Sequence, residues 1–244
     1  MHICLILPTY NEAPNLERLV TAVRALGLGL EILIVDDASP DRTGQIAEGL
    51  ALGHRDLGVL CRTGPRSYGE ALTDGFGTAL SRGAEVILTM DADFSHDPAA
   101  IPQLLAALHE ADLAIGSRYI EGGELRAWPL YRRLLSASAN AFVQLLFNLP
   151  THDCTSGFRA YRRVVLESIP WTELHSVGYS YLVEILYWAV RGQGARVVEV
   201  PICFAERQAG KSKMGFRHIV DGAFYLLWLR ARLLSTRFGR AAPS

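Results

Sequence analysis

Lysine is nearly missing from this 244-residue chain; only Lys211 and Lys213 occur, close together, and almost every other basic residue is arginine. The formal net charge is −1, so bulk electrostatics give no footprint of nucleic-acid binding. Cysteine is sparse. Cys4, Cys61, Cys154 and Cys203 lie far apart with no C-x-x-C pair, which fits reduced, mostly buried thiols in a cytoplasmic protein better than a zinc site or a disulfide framework. No apolar run approaches the ~18–20 residues that span a bilayer. The nearest, Ala223 to Leu229, is bounded by Asp221, Arg230 and Arg232. The first residues enter a strand directly, with no basic segment or cleavage site, so no secretory leader is expected. No G-x-G-x-x-G follows that strand, which disfavours a dinucleotide fold. Internal repeats and low-complexity linkers are lacking too.

What is present is a chain half hydrophobic, long enough for one sizeable core or two fused halves. Its first half alternates strand and helix. Strands are expected at Ile3–Pro8, Glu31–Val35, Gly58–Arg62, Glu85–Met90 and Leu113–Gly116. Helices are expected at Pro14–Leu26, Asp41–Leu52, Tyr68–Arg82 and about Asp97 to Glu110. Continuous apolar strands alternating with helices indicate a parallel sheet covered on both faces. The second half carries long helical stretches at Trp128–Leu149, Val177–Val190 and Phe216–Arg237, with a strand at Arg196–Phe204.

The strand ends hold the chemistry. Val86-Ile87-Leu88-Thr89-Met90 delivers Asp91 and Asp93 to its carboxyl end, and positions i and i+2 of an extended chain point the same way. Two adjacent carboxylates repel unless a proton or cation lies between them. A hard divalent cation that also carries substrate phosphates suits such a pair. The first strand ends in Pro8-Thr9-Tyr10-Asn11-Glu12 and the second in Val35-Asp36-Asp37-Ala38-Ser39-Pro40. Taken singly, each is also an ordinary turn. Together, Tyr10, Glu12, Asp37, Asp91 and Asp93 line one crevice at the carboxyl edge, a layout for a nucleoside diphosphate bound through a metal.

These segments resemble the motifs of family 2 glycosyltransferases. The series continues with Gly116-Ser117-Arg118-Tyr119, Gly122-Gly123, Trp128…Arg132…Ser136, Asp153-Cys154-Thr155-Ser156-Gly157-Phe158-Arg159 and Glu206-Arg207…Gly210-Lys211-Ser212-Lys213. In full it is similar to the dolichol-phosphate (polyprenol-phosphate) mannosyltransferases, from the first strand to about Met214. The resemblance implies a GT-A type α/β fold: an open, mostly parallel sheet flanked by helices, with an acceptor-side helical region. It divides the chain into a catalytic domain at 1–214, with a nucleotide-sugar half at 1–120 and an acceptor half at 121–214, and a C-terminal amphipathic helix and tail at 215–244.

The activity implied is inverting transfer of a hexose from a nucleotide sugar, GDP-mannose first and UDP-glucose second, to a polyprenyl phosphate. The donor is expected on Pro8, Tyr10, Glu12, Val35, Asp37, Asp91, Ala92 and Asp93, with Mg²⁺ or Mn²⁺ on Asp91 and Asp93. The acceptor phosphate is expected on Arg118, Arg132, Ser136, Arg207 and Lys213, and the catalytic set is Asp93, Arg118, Arg132 and Arg207. Glu184 is either a sugar ligand or a structural partner, and His96 a capping or supporting residue. The chain departs from the family in a usually glycine-rich loop, here Gly64-Pro65-Arg66-Ser67-Tyr68-Gly69-Glu70-Ala71, where Pro65, Arg66 and Tyr68 are stiffer and bulkier. Stretches 128–149 and 216–237 are expected to dock peripherally on the cytoplasmic face of a membrane, unless a small membrane-anchoring protein does so. The rival readings are a transferase with another acceptor, a non-catalytic nucleotide-sugar-binding module and a nucleotide-sugar pyrophosphorylase. Neither the Gln-x-x-Arg-Trp motif of processive synthases nor a glycine-rich triphosphate loop is found.

Overall fold

The computed structural model describes residues 1–174, 176, 178, 180–206 and 216–239, with the backbone alone at 216–220 and 235–239. The first half runs β1 (Ile3–Thr9), α1 (Ala13–Arg24), β2 (Glu31–Asp36), α2 (Thr43–Gly53), β3 (Leu57–Cys61), α3 (Tyr68–Ser81), β4 (Val86–Thr89), α4 (Ile101–Ala107) and β5 (Leu113–Ser117). The second half runs β6 (Glu124–Leu125), α5 (Leu130–Phe147), β7 (Arg159–Arg162), α6 (Arg163–Glu167), α7 (Ser180–Tyr187), β8 (Val197–Pro201), β9 (Cys203–Phe204) and α8 (Phe216–Gly239).

Seven strands form one sheet in the order β3-β2-β1-β4-β7-β5-β8, and β6 pairs with β9 beside it. The period of two along β1 explains its double burial. Cys4 and Ile6 join the core on one face with Leu33, Phe76 and Tyr161, while Leu5 and Leu7 join the other with Leu16, Leu19 and Ile32. Helices α3 and α7 cover the first face, and α1 and α4 the second. Parallel strands buried on both faces must read as continuous apolar runs, and these do.

One strand runs against the others. β7 is antiparallel to both β4 and β5, with Arg159 opposite Thr89. This reversal matters for the site. The carboxyl ends of β1, β2, β3, β4 and β5 share one edge, and the antiparallel β7 brings its amino end, with the preceding loop 152–158, to that same edge. β7 and β8, both from the second half of the chain, flank β5, so the two halves share one sheet.

The strand expected at Arg196–Phe204 divides at Ile202 into β8 and β9, and the helix expected at Val177–Val190 ends in a π-helical turn at Trp188–Gly192. The helix expected at Asp97–Glu110 is shorter, a 3₁₀ turn at Pro98–Ala100 leading into α4. Among the described residues no helix is long and apolar enough to cross a membrane.

Candidate active site

At the carboxyl edge, the ends of β1, β2 and β3 are laced together by side chains. Asp36 Oδ1 accepts from Thr9 Oγ1 at 3.0 Å and Ser39 Oγ at 2.6 Å, and its Oδ2 accepts from the Ser39 N–H at 2.9 Å. Asp36 therefore staples β1 to the turn after β2, a turn in which Ala38 takes a left-handed φ of 56°. Its neighbour Asp37 faces β3. Asp37 Oδ1 pairs with Arg62 Nη1, and Oδ2 accepts the Ser67 N–H at 2.7 Å. Arg62 also donates to Glu70 and, through Nε, to Asp74 at 2.7 Å. Sequence reasoning passed over Arg62, although its place at the end of β3 puts it on the same edge.

Tyr10 is half-buried, and the Arg66 guanidinium lies over its ring at 4.1 Å. Glu12 is buried; its Oε2 accepts from Asn15 Nδ2 at 2.9 Å and its N–H donates to Thr43 Oγ1 at 2.9 Å. Pro8 pairs in register with Val35. The side chains of Val35 and Ala92 belong to the core, so these two can offer the crevice only backbone.

Asp91 and Asp93 follow β4 directly. The Asp91 N–H donates to His96 Nδ1 at 3.2 Å, its Oδ1 accepts from the Tyr68 hydroxyl at 3.3 Å, and Asp93 Oδ1 accepts the Ser95 N–H at 3.0 Å. Phe94, with φ at 61°, turns the chain after Asp93. His96 is enclosed between Phe158 and Phe204 at 5.0 and 5.1 Å. Burial pushes its pKa down to about 4, with the nearby Arg118 charge acting the same way and Asp93 opposing. His96 is thus a neutral acceptor that supports the Asp91 backbone, and its Nδ1 is taken. Among the described residues no group of three or more His, Cys, Asp or Glu side chains converges. The protein supplies two hard carboxylates, which is the donor set a divalent cation takes when substrate phosphates complete its shell.

A second cluster at the same edge is built around Arg118. Its Nε and Nη2 meet both oxygens of Asp153 at 2.6 and 2.7 Å, and Nη2 also reaches Thr155 Oγ1 at 2.9 Å. The loop bearing Asp153 is held from both sides. Glu199 accepts the N–H groups of His152 and Asp153 at 2.8 and 2.9 Å, and Asn140 Oδ1 accepts that of Cys154 at 2.8 Å. Arg159, fully buried, donates to the carbonyls of Cys154, Ser156 and Leu182 at 2.7 to 2.9 Å. Glu199, Asn140 and Arg159 carried no sequence signal of this duty, because each acts on backbone.

Arg132 stacks on Trp128 at 3.9 Å and lies 3.8 Å from Glu206. Ser136, one turn along α5, accepts from the Tyr119 hydroxyl at 2.6 Å. Trp128 meets Phe204 edge-on at 5.5 Å, so an aromatic row connects Arg132 to His96 and the Asp91 loop. Arg207 and Lys213 lie outside the described residues. Glu184 is fully buried, accepting the Ser176 N–H at 3.0 Å and the Tyr225 hydroxyl of α8 at 3.1 Å, contacts that tie α7 to α8.

Known proteins resemble this chain in sequence and in fold. The family described as "Glycosyl transferase family 2" matches residues 4–169. A polyprenol monophosphomannose synthase of Mycolicibacterium smegmatis is 45% identical over 94% of this chain and 88% of its own length. An undecaprenyl-phosphate mannosyltransferase of Micrococcus luteus is 40% identical over 88% of each chain. A dolichol-phosphate mannosyltransferase of Pyrococcus furiosus is 40% identical over 91% of this chain and 61% of its own length. Among solved structures, glucosyl-3-phosphoglycerate synthase of Mycobacterium tuberculosis, in complex with Mn²⁺, UDP and glucosyl-3-phosphoglycerate, superimposes with a TM-score of 0.67 at 19% identity, over 94% of this chain and 79% of its own. The fold is that of the GT-A glycosyltransferases.

Proposed function

The chain belongs to glycosyl transferase family 2, and on that premise we propose that it transfers mannose from GDP-mannose to the phosphate of a polyprenol, with inversion at the anomeric carbon. The observation that carries the reading is the agreement of three relatives, 40 to 45% identical, each named for mannosyl transfer to, or mannose on, a polyprenol-type phosphate.

The residues fit the chemistry. Asp91 and Asp93 would hold Mg²⁺ or Mn²⁺. When bound, such an ion neutralises charge growing on the departing nucleoside diphosphate. Tyr10, Glu12 and Asp37, with the backbone of Val35 and Ala92, form the nucleotide end. The acceptor is a phosphate monoester, already anionic near neutral pH, so its oxygen needs placement beside the anomeric carbon more than deprotonation. Arg118 and Arg132, with Ser136, Arg207 and Lys213, would grip that phosphate. Guanidinium groups keep their charge and can take phosphate oxygens two at a time. Asp153 and Thr155 hold the Arg118 fork in one orientation.

The polyprenyl chain calls for a lipid surface. α5 exposes Leu130, Tyr131, Leu134 and Leu145, and α8 exposes Phe224, Leu227, Trp228 and Leu234. α5 packs on α8, and α5 also carries Arg132 and Ser136. An apolar surface on the helix that supplies the phosphate ligands fits peripheral docking, with arginines at headgroup level. A position on the cytoplasmic side is supported by four cysteines that are all free thiols.

Purified protein incubated with Mg²⁺ or Mn²⁺, a short polyprenyl phosphate and labelled GDP-mannose or UDP-glucose in parallel tests the reading. Label entering the lipid phase from GDP-mannose is expected. Transfer from UDP-glucose alone would overturn the donor, and no transfer from either, with nucleotide still bound, would overturn the acceptor.

A further inference from the structure

Tyr68 stands in the loop where this chain departs most from the family pattern, and its surroundings give the bulky residue a task. The start of α3 is fixed from three sides. Ser67 caps the helix, its Oγ accepting the Glu70 N–H at 3.3 Å, while its own N–H binds Asp37 Oδ2 at 2.7 Å. Gly69 presses on α7 so closely that a Cβ there would lie 2.9 Å from the Tyr181 ring. Between these fixed points the Tyr68 hydroxyl reaches Asp91 Oδ1 at 3.3 Å.

The opposite wall of this slot is Gly157. A Cβ on Gly157 would stand 2.6 Å from the Tyr68 hydroxyl and 3.4 Å from Asp91 Oδ1. The Gly157 carbonyl is itself anchored, accepting from Thr89 Oγ1 at 2.7 Å. With the carbonyl held, an alanine at 157 requires something to shift, and the nearest atom is the Tyr68 hydroxyl, which it would push off Asp91. One tight turn of α3 thus touches the nucleotide carboxylate Asp37 through backbone and the metal carboxylate Asp91 through a side chain.

We propose that Tyr68 is a positioning residue for the metal site: its hydroxyl, admitted by the missing side chain of Gly157, restrains the Asp91 carboxylate in its cation-binding orientation. This rests on the reading of Asp91 and Asp93 as metal ligands. A hydroxyl on one oxygen restrains rotation of the carboxylate, which is what outer partners do for metal ligands in general.

The test uses the full chain with Mn²⁺ and GDP as probes and reads bound Mn²⁺ from loss of the free-ion electron paramagnetic resonance signal. Tyr68→Phe keeps the ring and removes only the hydroxyl. It is expected to weaken Mn²⁺ binding in the presence of GDP by about tenfold or more, with GDP binding in the absence of metal unchanged. Gly157→Ala in the wild-type background should cause a similar loss. In the Tyr68→Phe background it should add little, since the hydroxyl it displaces is already gone; such non-additivity marks residues acting on one contact. If Tyr68→Phe binds Mn²⁺ as tightly as wild type, or loses metal-free GDP binding to the same degree, the proposal fails while the metal reading stands. If wild-type protein with GDP takes up no Mn²⁺, both fail.

Discussion

Asp153 receives the Arg118 fork on both of its oxygens, at 2.6 and 2.7 Å, in a pair that is almost wholly shielded from water. The two residues are 35 positions apart and meet because β7 runs antiparallel, which returns the 152–158 loop to the carboxyl edge where β5 delivers Arg118. An arginine held this firmly presents its guanidinium in one orientation, as the proposed grip on an acceptor phosphate requires.

Removing one partner of such a pair strands a buried charge, so Asp153→Asn should cost about 3–5 kcal/mol of unfolding free energy in a denaturant titration. Burial by itself would raise the Asp153 pKa, yet the Arg118 charge and hydrogen bonds outweigh it and hold the carboxyl below the usual range. A native pKa below the unfolded value stabilises the fold above the unfolded pKa and loses that stability as pH falls through the native one. Wild-type stability should therefore decline below about pH 4, and that part of the pH profile should flatten in Asp153→Asn. An unchanged profile would remove the pair from the account.

Asp93→Asn should fold normally, because its amide oxygen can still accept the Ser95 N–H. Loss of a metal carboxylate should nevertheless lower metal-dependent turnover by about 100-fold or more, the equivalent of a few kcal/mol in the transition state. Activity close to wild type would take Asp93 out of the site.

Arg132 leans on Trp128 and its side chain is about one-third exposed. Arg132→Ala should leave melting unchanged and raise the acceptor KM roughly 10- to 100-fold, the range for a lost hydrogen bond to a charged group. Donor affinity should stay the same. If donor affinity falls first, the division between donor and acceptor sides is wrong.

Asp37 meets both Arg62 and the Ser67 N–H, so it organises the nucleotide end. Asp37→Asn should weaken nucleotide binding by about tenfold, measured calorimetrically, since an amide replaces one acceptor by a donor. An unchanged dissociation constant would contradict that placement.

Leu145 and Phe224 are 82% and 70% exposed, so charges there cost the fold little. Replacing both by glutamate should reduce flotation with anionic liposomes by at least about tenfold, given ~1.5–3 kcal/mol for burying each such side chain. Wild-type protein that fails to float, with activity indifferent to lipid, would end the docking account and favour a separate anchoring protein.

The first-half strands β1 to β5 and the carboxylates at their ends were legible because a sheet covered on both faces leaves apolar runs, and Asp91 and Asp93 punctuate one of them. β7 was not. Arg159-Ala160-Tyr161-Arg162 has charges at both ends and no apolar run, and Arg159 is buried only because three carbonyls receive it. Arg118 and Asp153 both follow the family motifs in order, but their pairing was not legible, since the strand reversal is what joins them. Val35 and Ala92 follow the family motif in order, yet alternation along the chain turns their side chains into the core. Arg62 escaped notice because a lone arginine after a strand looks like surface.

The most direct measurement is nuclear magnetic resonance of the lipid product formed from GDP-mannose and a polyprenyl phosphate. The expected product is a single phosphodiester joining the polyprenol to mannose, with the β configuration, formed in step with GDP release. A lipid product that keeps the donor's α configuration would contradict single displacement at this site. The absence of any mannosyl phosphodiester would contradict mannosyl transfer to a polyprenyl phosphate.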